Sequence, residues 1–463
     1  MKKVVEKKIA ELVKEKGGRT FYVGGYVRDK LLGINNLDVD IEIHGISESV
    51  LLEVLNKVGT PLKYGKSFGI YYLEGQHIDI ALPRKEKAIG KGHRDFEITI
   101  DPFIGYKKAA LRRDFTINAL MEDVLTGEIV DNFDGLNDLK KQIIRHVDDK
   151  SFVEDPLRVL RACQFACRFD FKIANETINL CKNIDIKNLS KERIEEEIKK
   201  ALIKGKKPSL FFEYLKKMNQ LNYWFKEIEE CINIKQDPIY HKEGDVYTHT
   251  MLVIDNASKY RNEVSNAYYF MLSALTHDLG KIATTEIVDG RIHSYNHEEK
   301  GVEIAKTFLN RFTNNKHLQR YVLNMVKLHM KPNMMMANKS HIKNTNKMFD
   351  EAIAKKDLIY LAMADNCLIE NRDNIKNDYE FLFKRLDIYK EYMKRPYVSG
   401  DDLIKAGLEA DESFSDVLTF AHKLRLAGLD LNDALKQCLA YARKLKKWNV
   451  VIWKKKEPIS LLI

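Results

Sequence analysis

The residues best suited to chemistry begin in Leu37-Asp38-Val39-Asp40-Ile41-Glu42-Ile43, where apolar and acidic positions alternate strictly. A strand repeats its facing every two residues, so Asp38, Asp40 and Glu42 share one face while the apolar residues share the other. Carboxylates crowded on one face repel each other, and a divalent cation relieves that repulsion. Hard oxygen ligands from neighbouring strand positions suit Mg²⁺. Asp79, in the alternating His77-Ile78-Asp79-Ile80, offers a third carboxylate. A solvated acidic face is the plain alternative for the Asp-x-Asp pair alone. Just upstream, Phe21-Tyr22-Val23-Gly24-Gly25 leads into Tyr26 to Leu32, a strand, glycine turn and helix in succession. Such a junction brings backbone N–H groups close to a phosphate with no Cβ in the way. Arg28, one turn into the helix, can add a charged fork to the same phosphates. Phosphate beside paired metal-binding carboxylates is the equipment of phosphoryl or nucleotidyl transfer, with one cation activating a hydroxyl and another holding the leaving pyrophosphate. No Walker-type G-x-x-x-x-G-K-[ST] occurs, which excludes a P-loop ATPase.

The elements that must position these residues follow from periodicity. Strands are expected at 20–23, 37–43, 70–73 and 77–82, with helices at 26–32 and 47–58. Residues 84–95 (RKEKAIGKGHRD) are polar and punctuated by glycine, and read as a mobile loop. From about residue 151 the pattern turns helical and strand-like alternation disappears. Amphipathic helices are expected at 155–169 and 191–203. A polar stretch at 235–244 precedes a second helical block running to about 389, and a helical tail follows Pro396. The expected class is α+β and multidomain, an α/β head followed by all-α modules. The expected parts are a head at 1–145, a helical neck and body at 146–235, a metal-binding helical domain at 236–390 and a tail at 391–463.

GGYVRDKLLG followed by LDVDIEI resembles the first motif of the class II tRNA nucleotidyltransferase and bacterial poly(A) polymerase family. LRRDFTINAL at 111–120, DNFDGLNDL at 131–139 and EDPLRVLR at 154–161 resemble its next signatures, and SKERI at 190–194 with Glu197 a fifth. The resemblance spans about 200 residues with its motifs in order. It implies that Asp38 and Asp40 hold catalytic Mg²⁺, beside which Asp79, read from its own alternating strand, is the candidate for a further catalytic carboxylate. It also implies that Gly25, Arg28 and Arg113 contact the nucleotide's phosphates, that Asp114 meets the ribose hydroxyl and that Asn118 supports that loop. For Arg112 and Arg113 alone, a surface pair is the alternative. Asp155 and Arg158, three apart at a helix start, share a face and offer acceptors and donors like the edge of a base. In the family such a pair selects cytosine or adenine without a template; an ordinary surface ion pair is the alternative. The resemblance also implies that Arg161 contacts nucleotide and that Glu154 braces Arg158. Arginines recur every three residues in many relatives, but Gln164 stands at the next such position. Residues 84–95 fall where the family has a loop tied to switching between CTP and ATP.

A second set of candidate ligands lies in the later helical block. His249, the adjacent His277-Asp278 at the end of an apolar helix expected at 268–279, and Asp365 are spaced in the order His, His-Asp, Asp. That order resembles the HD phosphohydrolase superfamily, whose helices converge these side chains on a divalent metal. Histidine and carboxylate ligands fit Mn²⁺, Fe, Ni²⁺, Zn²⁺ or Mg²⁺. His297 and His329 fall where two-metal members carry extra ligands. Each histidine taken alone is more commonly a satisfied core or surface residue.

Lys+Arg 77 against Asp+Glu 67 leaves +10, which permits a polyanionic partner without naming it. With 31% charged and 44% apolar residues, neither a disordered chain nor a membrane protein fits. The start MKKVVEKK has no apolar core behind it, so no signal peptide is expected. The six cysteines form no C-x-x-C pair and read as reduced thiols of a cytoplasmic protein. The function implied is addition or repair of the tRNA 3′-terminal CCA from CTP and ATP, beside an HD phosphohydrolase acting on phosphate esters, including cyclic 2′,3′-phosphates. Poly(A) addition or CC-only or A-only addition shares the same motifs. From another class, the chain reads as chiefly an HD phosphohydrolase with an RNA-binding head. The segment VSGDDLIKAGL at 398–408 and the basic tail are expected to help hold tRNA. No membrane partner is expected.

Overall fold

A computed structural model of the chain describes residues 2–64, 69–76, 78–88, 96–366, 375–394, 397–408 and 411–454. The chain forms two compact units, residues 1–229 with 310–314, and residues 230–309 with 315–463.

The first unit opens with helix Lys2–Glu15, which buries Ile9, Ala10 and Val13 on one face. The strands that follow are β1 (Arg19–Val23), β2 (Val39–His44), β3 (Pro61–Tyr64), β4 (Ile70–Leu73), β5 (Ile78–Ala81), β6 (Arg84–Ala88), β7 (Phe96–Ile100), β8 (Met121–Asp123) and β9 (Ile129–Val130). Seven of them form one sheet in the order β3-β4-β5-β2-β1-β8-β9. Only β2 and β5 pair in parallel, and their register sets Asp40 opposite Asp79. The alternation in β2 behaves as its residue types dictate, because Val39, Ile41 and Ile43 enter the core with Ile78 and Ile80 of β5. Helix Glu48–Asn56, capped by the Ser47 hydroxyl accepting from the Val50 N–H, adds Leu51, Val54 and Leu55.

The segment read as a mobile loop is different. Residues 84–88 form β6, paired with β7 in antiparallel register from Arg84–Ile100 to Ala88–Phe96, while residues 89–95 lie outside the described part. Lysine and arginine can occupy strand positions, so polarity alone does not exclude a hairpin. After β9 this unit is mainly helical, with Leu157–Phe169, Lys191–Lys204 and Ser209–Lys217 packed around an edge-to-face cluster of Phe211, Phe212 and Phe225. Short strands Ile143–Ile144 and Lys172–Ile173 pair in parallel beside them.

The second unit is built on Val246–Ala257, Ala267–Thr276, Lys316–Leu328 and Lys355–Asn366. Asp245 and Asn266 cap the first two helices, accepting from Thr248 N–H (2.8 Å) and Tyr269 N–H (3.1 Å). One hairpin, Thr285–Val288 with Arg291–Ser294, interrupts the helices where sequence periodicity predicts none. It has little buried surface, so nothing forced an apolar alternation into its sequence. Towards the C-terminus, Ser399 and Asp402 form a reciprocal capping box on helix Gly400–Lys405, and Leu403 packs with Val417, Ala421 and Cys438. Pro396 and the last nine residues lie outside the described part.

The described cysteines are all buried thiols without disulfides. Among the described residues no helix is long and apolar enough to cross a membrane.

Candidate active sites

In the first unit, β2 and β5 carry Asp40 and Asp79 side by side, and Asp38 stands immediately before β2. Asp38 and Asp79 are exposed and Asp40 is partly buried. Burial pushes the Asp40 carboxyl up, Asp79 and Asp38 push it further, and the opposing Arg113 leaves it at about 6. Asp40 thus feels two like charges with Arg113 opposing them, which is the condition a cation relieves. Glu42 shares their face but has another task. It is buried, receives Arg112 (3.1 Å) and Arg113 (3.5 Å), and meets His44 Nε2 at 3.0 Å. Burial would raise its carboxyl, but His44 and the two arginines hold it down to about 2. Arg112 and Arg113 are therefore anchored by a buried carboxylate and are not a surface pair.

Gly24 has φ 66°, and a Cβ there would lie 2.8 Å from the Arg113 guanidinium, so the glycine leaves room for that side chain beside Asp40. Gly24, Gly25, Asp38, Asp40, Arg113, Asp114, Asn118 and Arg161 line one cleft of about 390 Å³. Asp114 receives both Arg161 Nε (2.8 Å) and Nη2 (2.6 Å) on one oxygen and the Asn118 amide (2.9 Å) on the other. Burial works against its charge, but Arg161 and Asn118 prevail and lower its pKa.

Arg28 reaches this cleft but is not a free fork. It is 3% exposed, donates to Asp29 (2.6 and 2.8 Å) and Asn118 (2.6 Å), and lies over the Phe165 and Phe169 rings. Burial lowers its pKa in spite of Asp29. It therefore braces the wall from which Asn118 holds Asp114.

Asp155 and Arg158 do not stand together as a pair. Pro156 delays the helix to Leu157, leaving Asp155 before its first turn. Asp155 is held by Arg193 (2.9 and 3.0 Å), whereas Arg158 donates to the carbonyls of Ser151 (2.6 Å) and Arg112 (2.7 Å). Neither lines the cleft, and Glu154 is exposed. Residues that sequence reasoning passed over do line it: Asp29, Asn36, Arg168, Lys200 and Lys204. The available signal was helical spacing, since Arg161, Gln164 and Arg168 fall on one face, as do Lys200 and Lys204.

In the second unit, His249 comes from Val246–Ala257, His277-Asp278 follow Ala267–Thr276, His297 starts His297–Phe312, His329 follows Lys316–Leu328 and Asp365 lies in Lys355–Asn366. Their ligand atoms form two groups, His249 with His277 and Asp365, and Asp278 with His297 and His329. Within the groups, His249 Nε2 lies 3.0 Å from Asp365, His297 Nε2 3.3 Å and His329 Nε2 3.5 Å from Asp278. Asp278 also lies 3.4 Å from His277 Nε2, linking the groups. Gly280 is required by their approach, because a Cβ there would strike the His297 carbonyl.

Every one of these imidazoles is tied through Nδ1 to an oxygen. His277 meets the Ala274 carbonyl (2.8 Å), His297 that of Ser294 (2.8 Å), His329 that of Val326 (2.6 Å) and His249 the Glu243 carboxylate (2.7 Å). Nδ1–H donation turns each Nε2 lone pair inward, as in a histidine metal site. The buried Nε2 atoms of His249 and His277 have no aligned hydrogen-bond partner, so the 3.0 Å approach to Asp365 is an ion contact. His297 Nε2 and His329 Nε2 face each other at 3.1 Å. This donor set fits divalent cations. Burial would push His249 down, but Asp365 and Glu243 lift it to about 9; Glu243, despite burial, falls to about 2 through His249 and His241. Glu243, His241 and Lys281 escaped sequence reasoning; Lys281 donates to Asp278 (2.7 Å) and Gln236 (2.8 Å).

The two sites define a class: a polymerase-type nucleotidyltransferase head joined to an HD domain. Residues 20–145 match the family described as "Poly A polymerase head domain", 170–232 "Probable RNA and SrmB- binding site of polymerase A" and 246–369 "HD domain". A multifunctional CCA protein of Mannheimia succiniciproducens is 35% identical over 301 residues, covering 63% of this chain and 70% of that protein. Another, of Acinetobacter baylyi, is 33% identical over 328 residues, 69% of this chain and 76% of that protein. The fold is similar to that of a Thermotoga maritima CCA-adding enzyme solved with tRNA, with a TM-score of 0.62, 22% identity and 95% of each chain covered. The chain belongs to the multifunctional CCA protein family.

Proposed function

We propose that the first unit adds or repairs the 3′-terminal CCA of tRNA from CTP and ATP without a template. The observation that carries this reading is the placement of Asp38 and Asp40 at the same cleft as Arg113, Asp114 and Arg161, with Asp79 paired opposite Asp40 on β5. Family membership supplies the reaction class. The RNA 3′-hydroxyl attacks the α-phosphorus of the nucleotide, and pyrophosphate leaves. Asp38, Asp40 and Asp79 hold Mg²⁺ in this reading, and the six residues of the HD cluster hold a divalent transition metal or Mg²⁺; such ions make hydroxyl or water a better nucleophile and offset charge on phosphate oxygens. Gly25 and Arg113 meet the phosphates, with Arg28 acting through the wall it braces. Asp114, kept ionised by Arg161 and oriented by Asn118, accepts from the ribose hydroxyl. Base selection by Asp155 and Arg158 requires Arg193 to release Asp155 and both side chains to turn toward the cleft.

The second unit is read as a phosphohydrolase for phosphate monoesters or cyclic diesters. Its support is the set of buried imidazoles whose Nδ1 atoms are all occupied. The division at 1–145, 146–235, 236–390 and 391–463 belongs to the same reading, with the tail touching tRNA and the whole acting in the cytoplasm.

The test is incorporation into tRNA lacking its last three nucleotides, with CTP and ATP supplied singly and together. Ordered addition of two C and one A supports the reading. Long A tracts would assign poly(A) synthesis, and C-only or A-only products a partial enzyme.

A further inference from the structure

Asp365 divides its two carboxylate oxygens between different tasks. Oδ1 faces His249 Nε2 at 3.0 Å and His277 Nε2 at 3.8 Å, where the ligand atoms of that group gather. Oδ2 accepts from the Asn333 amide at 3.3 Å. Asn333 lies on helix Met330–Ala337, one turn after His329, so the same stretch of chain serves both groups of ligands. Its amide is oriented in turn by Tyr379, whose side chain is fully buried. The Tyr379 hydroxyl accepts from Asn366 Nδ2 at 3.0 Å and donates to Asn333 Oδ1, with the Ala362 carbonyl also 3.0 Å away. An amide presents an acceptor on one side and a donor on the other. With Oδ1 committed to the hydroxyl, Nδ2 is turned to Asp365, and the reversed amide would aim an oxygen at the carboxylate. Tyr379 lies past residues 246–369, the stretch that matches the HD domain, so the chain beyond that stretch reaches into the site.

A carboxylate with one oxygen held by a hydrogen bond offers the other alone, whereas a released carboxylate can turn both oxygens to a cation. The difference bears on which cation fits. Ca²⁺ accepts carboxylates through one or two oxygens in flexible geometries, and smaller divalent ions are held at shorter distances in stricter ones. We infer that Asn333 and Tyr379 are positioning residues that hold Asp365 to ligation through Oδ1 alone, and that this relay gives the second unit its preference for a small divalent cation over Ca²⁺. The inference rests on the metal-binding reading of the six-residue cluster and deepens it. Tyr379 acts through Asn333, and Asn333 acts through Asp365, so neither is itself a ligand.

The experiment is calorimetric titration of the full chain with Mn²⁺ and, separately, with Ca²⁺, carrying Asp38→Ala and Asp40→Ala throughout to silence the first unit. Asn333→Leu keeps the side chain's shape and removes the donor. Its Mn²⁺ affinity should fall by about tenfold, within the range for residues that orient metal ligands. Ca²⁺ affinity should fall less, because the freed carboxylate can offer it two oxygens, so the ratio of the two affinities shrinks. Tyr379→Phe keeps the ring and should cause a smaller shift in the same direction. Adding Tyr379→Phe to Asn333→Leu should change nothing further, because the hydroxyl has no amide left to orient. A merely structural role would lower the unfolding midpoint of the metal-free chain and leave the ratio of Mn²⁺ to Ca²⁺ affinity unchanged. That result overturns the inference, and so does a double variant whose losses add. A parent protein that binds neither ion in the second unit defeats the metal-binding reading itself. One that binds Mn²⁺ and is unmoved by either substitution defeats the relay alone.

Discussion

In the first unit, acidic side chains stand on a strand pair beside an open cleft, and backbone register places them. Asp40 and Asp79 sit opposite one another because β2 and β5 run parallel. In the second unit, side chains from five helical segments converge out of solvent, and each imidazole is fixed by a separate hydrogen bond. The difference teaches how each site keeps its charge. The open cleft places like charges together and leaves Asp40 with a pKa near 6, so its cation is best held when a triphosphate shares the load. The buried cluster carries its own counterion, Lys281, and gathers its histidines and carboxylates into groups of three.

The strongest way to break this comparison is to disable each site in turn. Asp38→Ala with Asp40→Ala should lower nucleotide incorporation by about a thousandfold or more while phosphate-ester hydrolysis persists. His277→Ala with Asp278→Ala should do the opposite. Both are read on one preparation by radiolabelled CTP incorporation and phosphate release. If either double variant abolishes both activities, the sites are not separate.

The contrast also decides what the sequence reveals. Asp38, Asp40 and Asp79 are legible because a strand has a period of two, and register does the rest. The histidines are visible by type and order, but Glu243 is not, since it contacts His249 from a loop with no periodicity. The Asp155–Arg158 pairing follows from helical spacing only if the helix includes both residues, and Pro156 moves its start to Leu157. The same limit applies to 84–88, whose sequence is polar, and to the hairpin at 285–294, where exposed strands carry no alternating signal. Arg28 shows a different limit, because burial, invisible in a motif, converts a phosphate fork into a brace.

Glu243→Gln probes the next largest effect. The carboxylate accepts from His249 (2.7 Å) and His241 (2.9 Å), so the amide keeps the shape and loses the charge. Mn²⁺ affinity in the second unit should fall by about tenfold, within the range for partners of metal-binding histidines, and CCA addition should not change. Calorimetric titration with Mn²⁺ checks it, and unchanged affinity would remove Glu243 from the site.

Proton release sharpens the comparison further. His249, lifted to about 9 in the metal-free protein, carries a proton at pH 7.5 that a cation must displace. Metal binding there should therefore release about one proton, and affinity should rise with pH until about 9. Asp40, with its pKa raised to about 6, is already ionised at pH 7.5, so binding in the first unit should release almost none until the pH falls below about 6. Below that value protons compete and affinity should drop. Calorimetry in two buffers of different ionisation heat, run on each disabled variant, measures both numbers; equal release from the two sites at pH 7.5 would contradict the contrast.

The smallest effect concerns a buried polar residue of the first unit. Gln164 is 2% exposed, lines the nucleotide cleft between Arg161 and Arg168, and has no partner for Nε2. Removing an unsatisfied buried amide should stabilise the empty protein, whereas removing a packed structural residue should destabilise it. Gln164→Leu, close in volume, should raise the unfolding midpoint of the first unit by about 2–4 °C, corresponding to about 1 kcal/mol in a unit of this size. It should also shrink the rise in midpoint caused by CTP and increase KM for CTP a few-fold, with kcat little changed, because the amide serves bound nucleotide and not the folded chain. Gln164→Arg adds a positive charge and should do the reverse, lowering the midpoint of the empty protein through repulsion with Arg161 and Arg168 while tightening CTP. A Leu variant that loses stability and keeps its KM would show that Gln164 supports the wall alone.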